Sequence, residues 1–262
     1  MPNGVGRWRC RGCREQIVAT NYNEIADDYQ KTKDHPVKNY CEAFTFLRVL
    51  GDVRAKSTLD LACGDGYYTR LIKQQGAAQV IGVDISDHMI NKGRAAEEVA
   101  PCGISYKVED ATQLGQIGQF DFVTAVSLFP YASTERTLTA MGQTIYDNLR
   151  PGGRLVSITL NPNLSVNDLA IYGQYGLRMA AEEPLQDGTR VMVTIDIPDG
   201  SIELSTYYWS QETYERILHQ VGFLNIIWHS YQISEAGMKM YGKEYWQPFL
   251  AKPYTLILES HK

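Results

Sequence analysis

Apolar and polar positions along the chain alternate between two rhythms. Short apolar runs near 57–62, 79–84, 104–109, 120–126 and 154–160 read as buried strands. Between them lie stretches with helical spacing, at about 67–75, from Asp87 onward, and across 134–149. Two more helices are predicted upstream, at about 23–30 and 36–50, the second carrying Tyr40, Phe44 and Leu47 on one face. Arg150-Pro-Gly-Gly153 stops a helix and launches the next strand. Strands alternating with helices imply parallel pairing through right-handed crossovers. In such open sheets a ligand binds beyond the carboxyl ends of the strands, where the strand order reverses.

The rhythm breaks between residues 161 and 209. Asn161-Pro-Asn163 reads as a loop, 166–180 as helical, and 190–197 with 202–209 as a hairpin turning at Asp199-Gly200. We read this stretch as an inserted cap over a domain spanning 20–262. Ser210 is a natural N-cap for a helix that ends at Val221-Gly222, and two strands follow near 224–230 and 253–260.

One turn changes this picture from a fold into a chemistry. The first strand ends in Ala62-Cys-Gly-Asp-Gly66, a helix follows at once, and the next strand ends in Asp84. Glycines let a ligand lie against bare backbone, and an acid at the tip of the second strand suits both hydroxyls of a ribose. The turn lacks the Gly-x-Gly-x-x-Gly of a pyrophosphate site, since the third position is Thr69, and the chain has no Gly-x-x-x-x-Gly-Lys-Ser/Thr loop. Asp60 and Asp65 flank the turn and would repel a pyrophosphate. They suit an adenosine cofactor bearing an amine and a sulfonium, S-adenosyl-L-methionine.

Tyr22-Asn-Glu-Ile-Ala-Asp-Asp-Tyr29, Leu59-Asp-Leu-Ala-Cys-Gly-Asp-Gly66, Gly82-Val-Asp-Ile85, Glu109-Asp-Ala111, Phe120-Asp-Phe-Val123 and Leu149-Arg-Pro-Gly-Gly153 together resemble a class I S-adenosylmethionine-dependent methyltransferase. The likeness runs from Tyr22 to the C-terminus, and general similarity points to the small-molecule subgroup with toxoflavin synthase-like enzymes. It implies a Rossmann-like α/β fold: a seven-stranded, mostly parallel sheet with helices on both faces, its last two strands antiparallel at one end. It also implies roles. Asp84 takes the ribose hydroxyls, unless it caps the helix that Ser86 and Asp87 open. Ile85 packs on the adenine, with Met89 and Ala111 nearby, and Asp110 accepts from the adenine amine, with Glu109 as the competing acid. Asp60, Ala62, Gly64 and Ser127 serve the methionine end. Tyr22 and Tyr29, seven apart and so on one helix face, lie over the methionine part or simply pack; a tyrosine face also attracts a sulfonium.

Methyl transfer asks mainly for placement, because the sulfonium is already electrophilic; a base is needed only where the acceptor must lose a proton. Catalytic candidates are Tyr22, Tyr131 and His229, with His219, Glu182, Glu183 and Asp196 as further possible bases. Phe129, Tyr172, Tyr175, Tyr207 and Trp209 are candidates to line a substrate pocket. Phe129, like Tyr131, follows the fourth strand; the other four belong to an aromatic set, with Tyr208, Tyr241, Tyr245, Trp246 and Phe249, concentrated in the insertion and the C-terminal region. Such residues either line a pocket for a flat or cationic acceptor or cover the sheet.

Composition narrows the partners. With 262 residues and a formal net charge of −5, the chain fits one large α/β domain and offers no case for nucleic acid. No apolar run spans a bilayer and no signal-peptide core opens the sequence, while five scattered cysteines fit a reducing cytoplasm. Residues 1–19 carry a formal +3 and read as a disordered basic extension; Cys10 and Cys13 are half a zinc site, so no metal is expected. The sequence thus predicts a monomeric or homodimeric enzyme methylating nitrogen, oxygen or carbon of a small metabolite in specialised metabolism. Two alternatives stay open: cyclisation of the cofactor's own methionine part into a small cyclic amino acid and methylthioadenosine, and a non-catalytic cofactor-binding subunit.

Overall fold

The computed structural model describes residues 20–32 and 35–262, so the expectations for residues 1–19, Cys10 and Cys13 included, lie outside the described residues. The chain runs α1 (Tyr22–Lys31), a π-turn (Lys38–Glu42) leading into α2 (Ala43–Leu50), β1 (Ser57–Leu61), α3 (Tyr67–Gln74), β2 (Gln79–Asp84), α4 (Asp87–Val99), β3 (Ser105–Val108) and β4 (Phe120–Val126). A short 3-10 turn (Phe129–Tyr131), α5 (Glu135–Asn148) and β5 (Leu149–Leu160) complete the first part. After a 3-10 segment (Val166–Tyr175) come β6 (Leu177–Ala181), β7 (Arg190–Ile197), β8 (Gly200–Tyr207), α6 (Gln211–Val221), β9 (Leu224–His229), α7 (Glu235–Ala251) and β10 (Thr255–His261).

Seven strands form one sheet in the order β3-β2-β1-β4-β5-β10-β9. β1 to β5 pair in parallel, and β10 runs antiparallel to both β5 and β9. The near-continuous apolar runs follow from burial of both sheet faces. Leu59, Leu61, Val123 and Leu155 point to the face covered by α5 and α6, where Leu138, Ile145, Ile217 and Leu218 meet them. Val80, Phe122, Val156 and Ile158 point to the other face, under Phe46, Ile72, Trp246 and Phe249 of α2, α3 and α7. Order reverses beside β1, which carries β2 on one side and β4 on the other.

The insertion is a three-stranded antiparallel sheet, β6-β7-β8, with its own core of Leu169, Leu177, Met179, Val191, Val193, Ile202 and Leu204. Three local expectations change. The helical reading of 166–180 ends at Tyr175, because Gly176 turns left-handed (φ 67°) and β6 begins at Leu177. The hairpin turns one residue early, since Ile197 pairs with Gly200. The segment between the last two strands is a long helix, α7. Its period is interrupted by a kink at Gly242 (φ 78°, ψ 167°) and by Pro248, which hid it in the pattern. None of the described helices is long and apolar enough to cross a membrane.

α1 is bolted over the carboxyl edge of the sheet. Ser86 Oγ donates to Asn23 Oδ1 (2.5 Å), His88 Nδ1 lies 2.6 Å from the Asn23 carbonyl, and Gln30 Nε2 donates to Asp65 Oδ2 (3.1 Å). Lys92 pairs with Asp27, and the Ser205 amide on β8 donates to Thr20 Oγ1 (2.8 Å).

Candidate cofactor and acceptor site

β1 and β4 end in backbone conformations that L-amino acids rarely adopt: Ala62 (φ 56°) and Ser127 (φ 59°) are both left-handed without being glycine. Such conformations cost roughly 1–3 kcal/mol and persist where surrounding structure imposes them. Here each strand must turn sharply away at the switch point; the Ser127 amide donates to the Ile158 carbonyl on β5 (2.8 Å). The two glycines of the turn do different work. Gly64 (φ 56°) has nothing within 4 Å of where a Cβ would stand, so its open side faces free space. Gly66 (φ 84°) is backed by Tyr106 of β3, whose ring also fills the space beside Gly82 and Gly93; a Cβ on Gly66 would collide with the Tyr106 hydroxyl. Nothing in the sequence marks Tyr106, a strand tyrosine, as the backing of a turn.

Two adjoining chambers open at this edge. The larger, with about 470 Å³ of free space, is walled by Asp84, Ile85, Met89, Glu109, Asp110, Ala111, Leu128 and Met141, with Thr20, Tyr22 and Tyr207 closing it from α1 and the cap. Its size lies in the range of small-molecule pockets. The smaller, about 160 Å³, lies between the turn residues Asp60, Cys63 and Asp65 and a ceiling of Leu177, Met179, Val193, Ile195 and Leu204 from the cap. His35, Lys38, Glu42, Tyr68, Tyr254 and Thr255 line its remaining wall. Both chambers touch Tyr29, Ala62, Gly64, Val126, Ser127 and Tyr131, which therefore form the passage between them.

The carboxylates are held in distinct ways. Asp84 receives the Gly64 amide on Oδ2 (2.8 Å) and the Ser86 amide on Oδ1 (2.9 Å), so it joins the turn to the tip of β2. Helix capping belongs to Ser86, whose Oγ accepts from the Met89 amide. Burial raises the Asp84 carboxyl above its usual range, against the lowering effect of these amides. Asp110 folds Oδ1 back onto the Thr112 amide and hydroxyl (2.8 and 2.9 Å), while Glu109 pairs with Lys107 (3.5 Å). Asp60 is 1% exposed and bound by the Thr69 and Thr124 hydroxyls (2.6 and 2.7 Å). Burial pushes its carboxyl up to about 6, those two hydrogen bonds opposing. It reaches the smaller chamber as a tie between β1, α3 and β4. Ile85, 66% exposed, presents its side chain at the larger chamber.

Three tyrosines crowd the passage. The Tyr22 ring meets Tyr29 edge-on at 5.4 Å and Tyr131 at 5.7 Å, and the Tyr22 and Tyr131 hydroxyls hydrogen-bond to each other. Burial raises all three phenols, Tyr131 to about 12, so they are neutral at ordinary pH. They offer ring faces and hydroxyl dipoles, and no phenolate base. Lys38, which no motif in the sequence marks, places Nζ 5.2 Å from the Tyr29 ring centre and 5.3 Å from that of Tyr67.

Several expected residues are elsewhere. Phe129 is 1% exposed and packs edge-on against Tyr214 in the core beneath α5 and α6. Trp209 is buried in that core too, its Nε1 donating to the Ala132 carbonyl (2.9 Å). Tyr172 fills the cap core against Tyr254, and the Tyr175 hydroxyl donates to the Tyr245 carbonyl (2.6 Å) beneath α7. None of these four walls either chamber; of the expected substrate set only Tyr207 does. His229, on the outer strand β9, is bound to Glu259 (2.7 Å) beside Arg154 and walls neither chamber. Aromatic side chains in an insertion and a kinked helix have cores of their own to fill, which spacing alone does not reveal.

Comparison with known proteins adds to this geometry. Residues 58–153 match a family described as a methyltransferase domain. The ubiquinone biosynthesis O-methyltransferase of Acinetobacter baylyi is 31% identical over 134 residues, 49% of this chain and 54% of that protein. The demethylmenaquinone methyltransferase of Lactococcus lactis is 32% identical over 163 residues, 58% of this chain and 62% of that protein. The chain thus spans a little over half the length of these curated relatives. A solved S-adenosylmethionine-dependent methyltransferase from Mesorhizobium loti superposes with a TM-score of 0.61 at 20% identity, over 88% of this chain and 99% of that one. At that identity the likeness is one of architecture: the chain has the Rossmann-like fold of class I methyltransferases.

Proposed function

We propose that this protein transfers the methyl group of S-adenosylmethionine to a small molecule held beneath the cap. The observation that carries this reading is the pair of chambers meeting at Tyr29, Gly64, Ser127 and Tyr131. One chamber has the size and acids for an adenosine; the other has the methionine-end residues Asp60, Ala62, Gly64 and Ser127 on one side and extends from them to the cap, where a second molecule can lie. The methyltransferase-domain match and the quinone methyltransferases among its relatives support the same reading.

The residues present fit that cofactor. Gly64 leaves its open side free for a ligand. Asp84 offers the ribose hydroxyls its remaining lone pairs from a position fixed by two amides, and Asp110 keeps Oδ2 for the adenine amine. Ile85, Met89 and Ala111 give apolar contact. Bound there, the cofactor would supply an electrophilic methyl group for transfer to an acceptor lone pair. Tyr22, Tyr29 and Tyr131 bring aromatic rings and neutral hydroxyls to the passage, groups that suit a sulfonium. Catalysis on this reading is placement. A specialised-metabolism acceptor of the toxoflavin synthase-like kind rests on the sequence resemblance; the aliphatic ceiling of the smaller chamber favours a compact acceptor over a broad aromatic one.

The test is incubation of the full chain with S-adenosylmethionine, with and without a panel of small nucleophiles. S-adenosylhomocysteine formed only with an acceptor is the expected result. Methylthioadenosine from the cofactor alone would replace this reading with intramolecular cyclisation, and binding without turnover on any acceptor would leave a binding subunit. Asp84→Asn, which keeps the shape, should weaken S-adenosylhomocysteine binding by about a hundredfold, the scale of a lost charge-assisted hydrogen-bond pair. Unchanged affinity by calorimetry defeats the ribose assignment.

A further inference from the structure

We infer that Lys38 is the anchor for a carboxylate on the acceptor, so that the molecule methylated is a small organic acid; this rests on the methyl-transfer reading above. The Lys38 ammonium stands in the wall of the smaller chamber, between the Tyr29 and Tyr67 rings. Among the described residues its Nζ makes no ion pair and no hydrogen bond. Glu42, four residues on, lies near enough for its carboxyl and the ammonium to act on each other as charges, but it forms no ion pair with Lys38 and accepts from Thr255 Oγ1 (3.0 Å) and Tyr254. The Tyr68 hydroxyl, in the same wall, is buried without a partner.

Lys38 is half-buried beside Glu42, and an ammonium partly withdrawn from water leaves its hydrogen-bond donors unfilled at a cost. Those donors, in a chamber wall, ask for a ligand that brings acceptor oxygens. Tyrosine faces attract the ammonium without neutralising it, so the charge stays available. The opposite surface is apolar, from Leu177, Met179, Val193 and Leu204 of the cap. An acidic head at Lys38 and a compact apolar body under the cap match these two surfaces. Lys38 walls only the smaller chamber, whereas the passage and the adenosine-sized chamber lie beyond Tyr29.

The experiment uses the full chain saturated with S-adenosylhomocysteine and titrates isovalerate and benzoate against isovaleramide and benzamide by calorimetry. The wild type should prefer each acid over its amide by about tenfold or more, near the 1.4 kcal/mol that a tenfold ratio represents. Lys38→Met should erase that preference and Lys38→Arg should keep part of it. No preference in the wild type, or a preference that survives Lys38→Met, overturns the proposal. So does a tenfold or greater loss of S-adenosylhomocysteine affinity in Lys38→Met, roughly one lost charged contact, which would give the anchor to the cofactor's own carboxylate. A wild type that binds no S-adenosylhomocysteine brings down the cofactor reading first, and this proposal with it.

Discussion

Gly64 and Gly66 sit two residues apart in one turn, yet a methyl group added to each should fail differently. Both are left-handed, so either alanine carries about 1–2 kcal/mol of backbone strain. At Gly64 the new methyl projects into open space on the ligand side; at Gly66 it meets the Tyr106 ring. Gly66→Ala should therefore lower thermal stability by roughly 3 kcal/mol, strain and overpacking together, with Tyr106→Leu restoring part of it. Gly64→Ala should show the smaller stability loss and the larger loss of S-adenosylhomocysteine affinity. Thermal melts with and without that ligand separate the two, and equal behaviour of both variants would contradict the division of labour. The sequence pointed to the turn but not to this division, because Tyr106 lies well downstream and only parallel pairing of β2 with β3 brings it behind Gly66.

At the scale of elements, legibility followed the strength of the local period. β1, β2 and β4 with their following helices, and β5 itself, were plain because burial on both faces leaves unbroken apolar runs between turn signals. The β7-β8 hairpin of the cap was legible with its turn one residue out; β6 and α7 were not. β6 follows directly on a 3-10 segment and α7 is broken at Gly242, so neither shows a period long enough to read. Tyr172 and Tyr175 are placed by the packing of these irregular elements, and Trp209 by the core beneath α5 and α6, so none of the three walls either chamber. α1 was visible as a helix with Tyr22 and Tyr29 on one face, though not as a closure. Asn23 anchors it through the Ser86 hydroxyl, on the residue that caps α4. Asn23→Ala removes one such hydrogen bond, worth about 0.5–1.5 kcal/mol, on a residue that walls neither chamber. The expected outcome is S-adenosylhomocysteine dissociation faster by roughly twofold to tenfold, with little change in melting temperature. Stopped-flow displacement would show it; an unchanged off-rate means that α1 does not gate the larger chamber.

Across the whole molecule, the site is built at the expense of stability, and Asp60 is where this can be measured. It lies at the centre of the sheet, linking β1 to Thr69 of α3 and Thr124 of β4. Burial raises its carboxyl from 3.8 to about 6, with the Asp84 charge adding in the same direction and the two threonine hydroxyls opposing. An acid whose folded value lies above its unfolded one holds its proton longer in the folded state, so stability falls as pH rises through that window. Asp84 and Glu42, also raised by burial, act with the same sign. Asp121, Asp187 and Glu259, lowered by their hydrogen-bond and charge partners, act oppositely and at lower pH. Wild-type stability alone therefore mixes the two groups, and a difference isolates Asp60. Asp60→Asn preserves the shape, can still accept from one threonine and can donate to the other. Relative to wild type it should gain about 3 kcal/mol between the fully protonated and fully ionised limits, because each tenfold change in proton affinity on folding is worth about 1.4 kcal/mol. The gain should appear between roughly pH 4 and pH 6, where the two forms of Asp60 exchange. Urea titrations of both proteins across that range give the difference directly. A flat difference would mean that water or an unassigned charge relieves Asp60, and the central acid would then be free to face the cofactor's amine without the cost its burial implies.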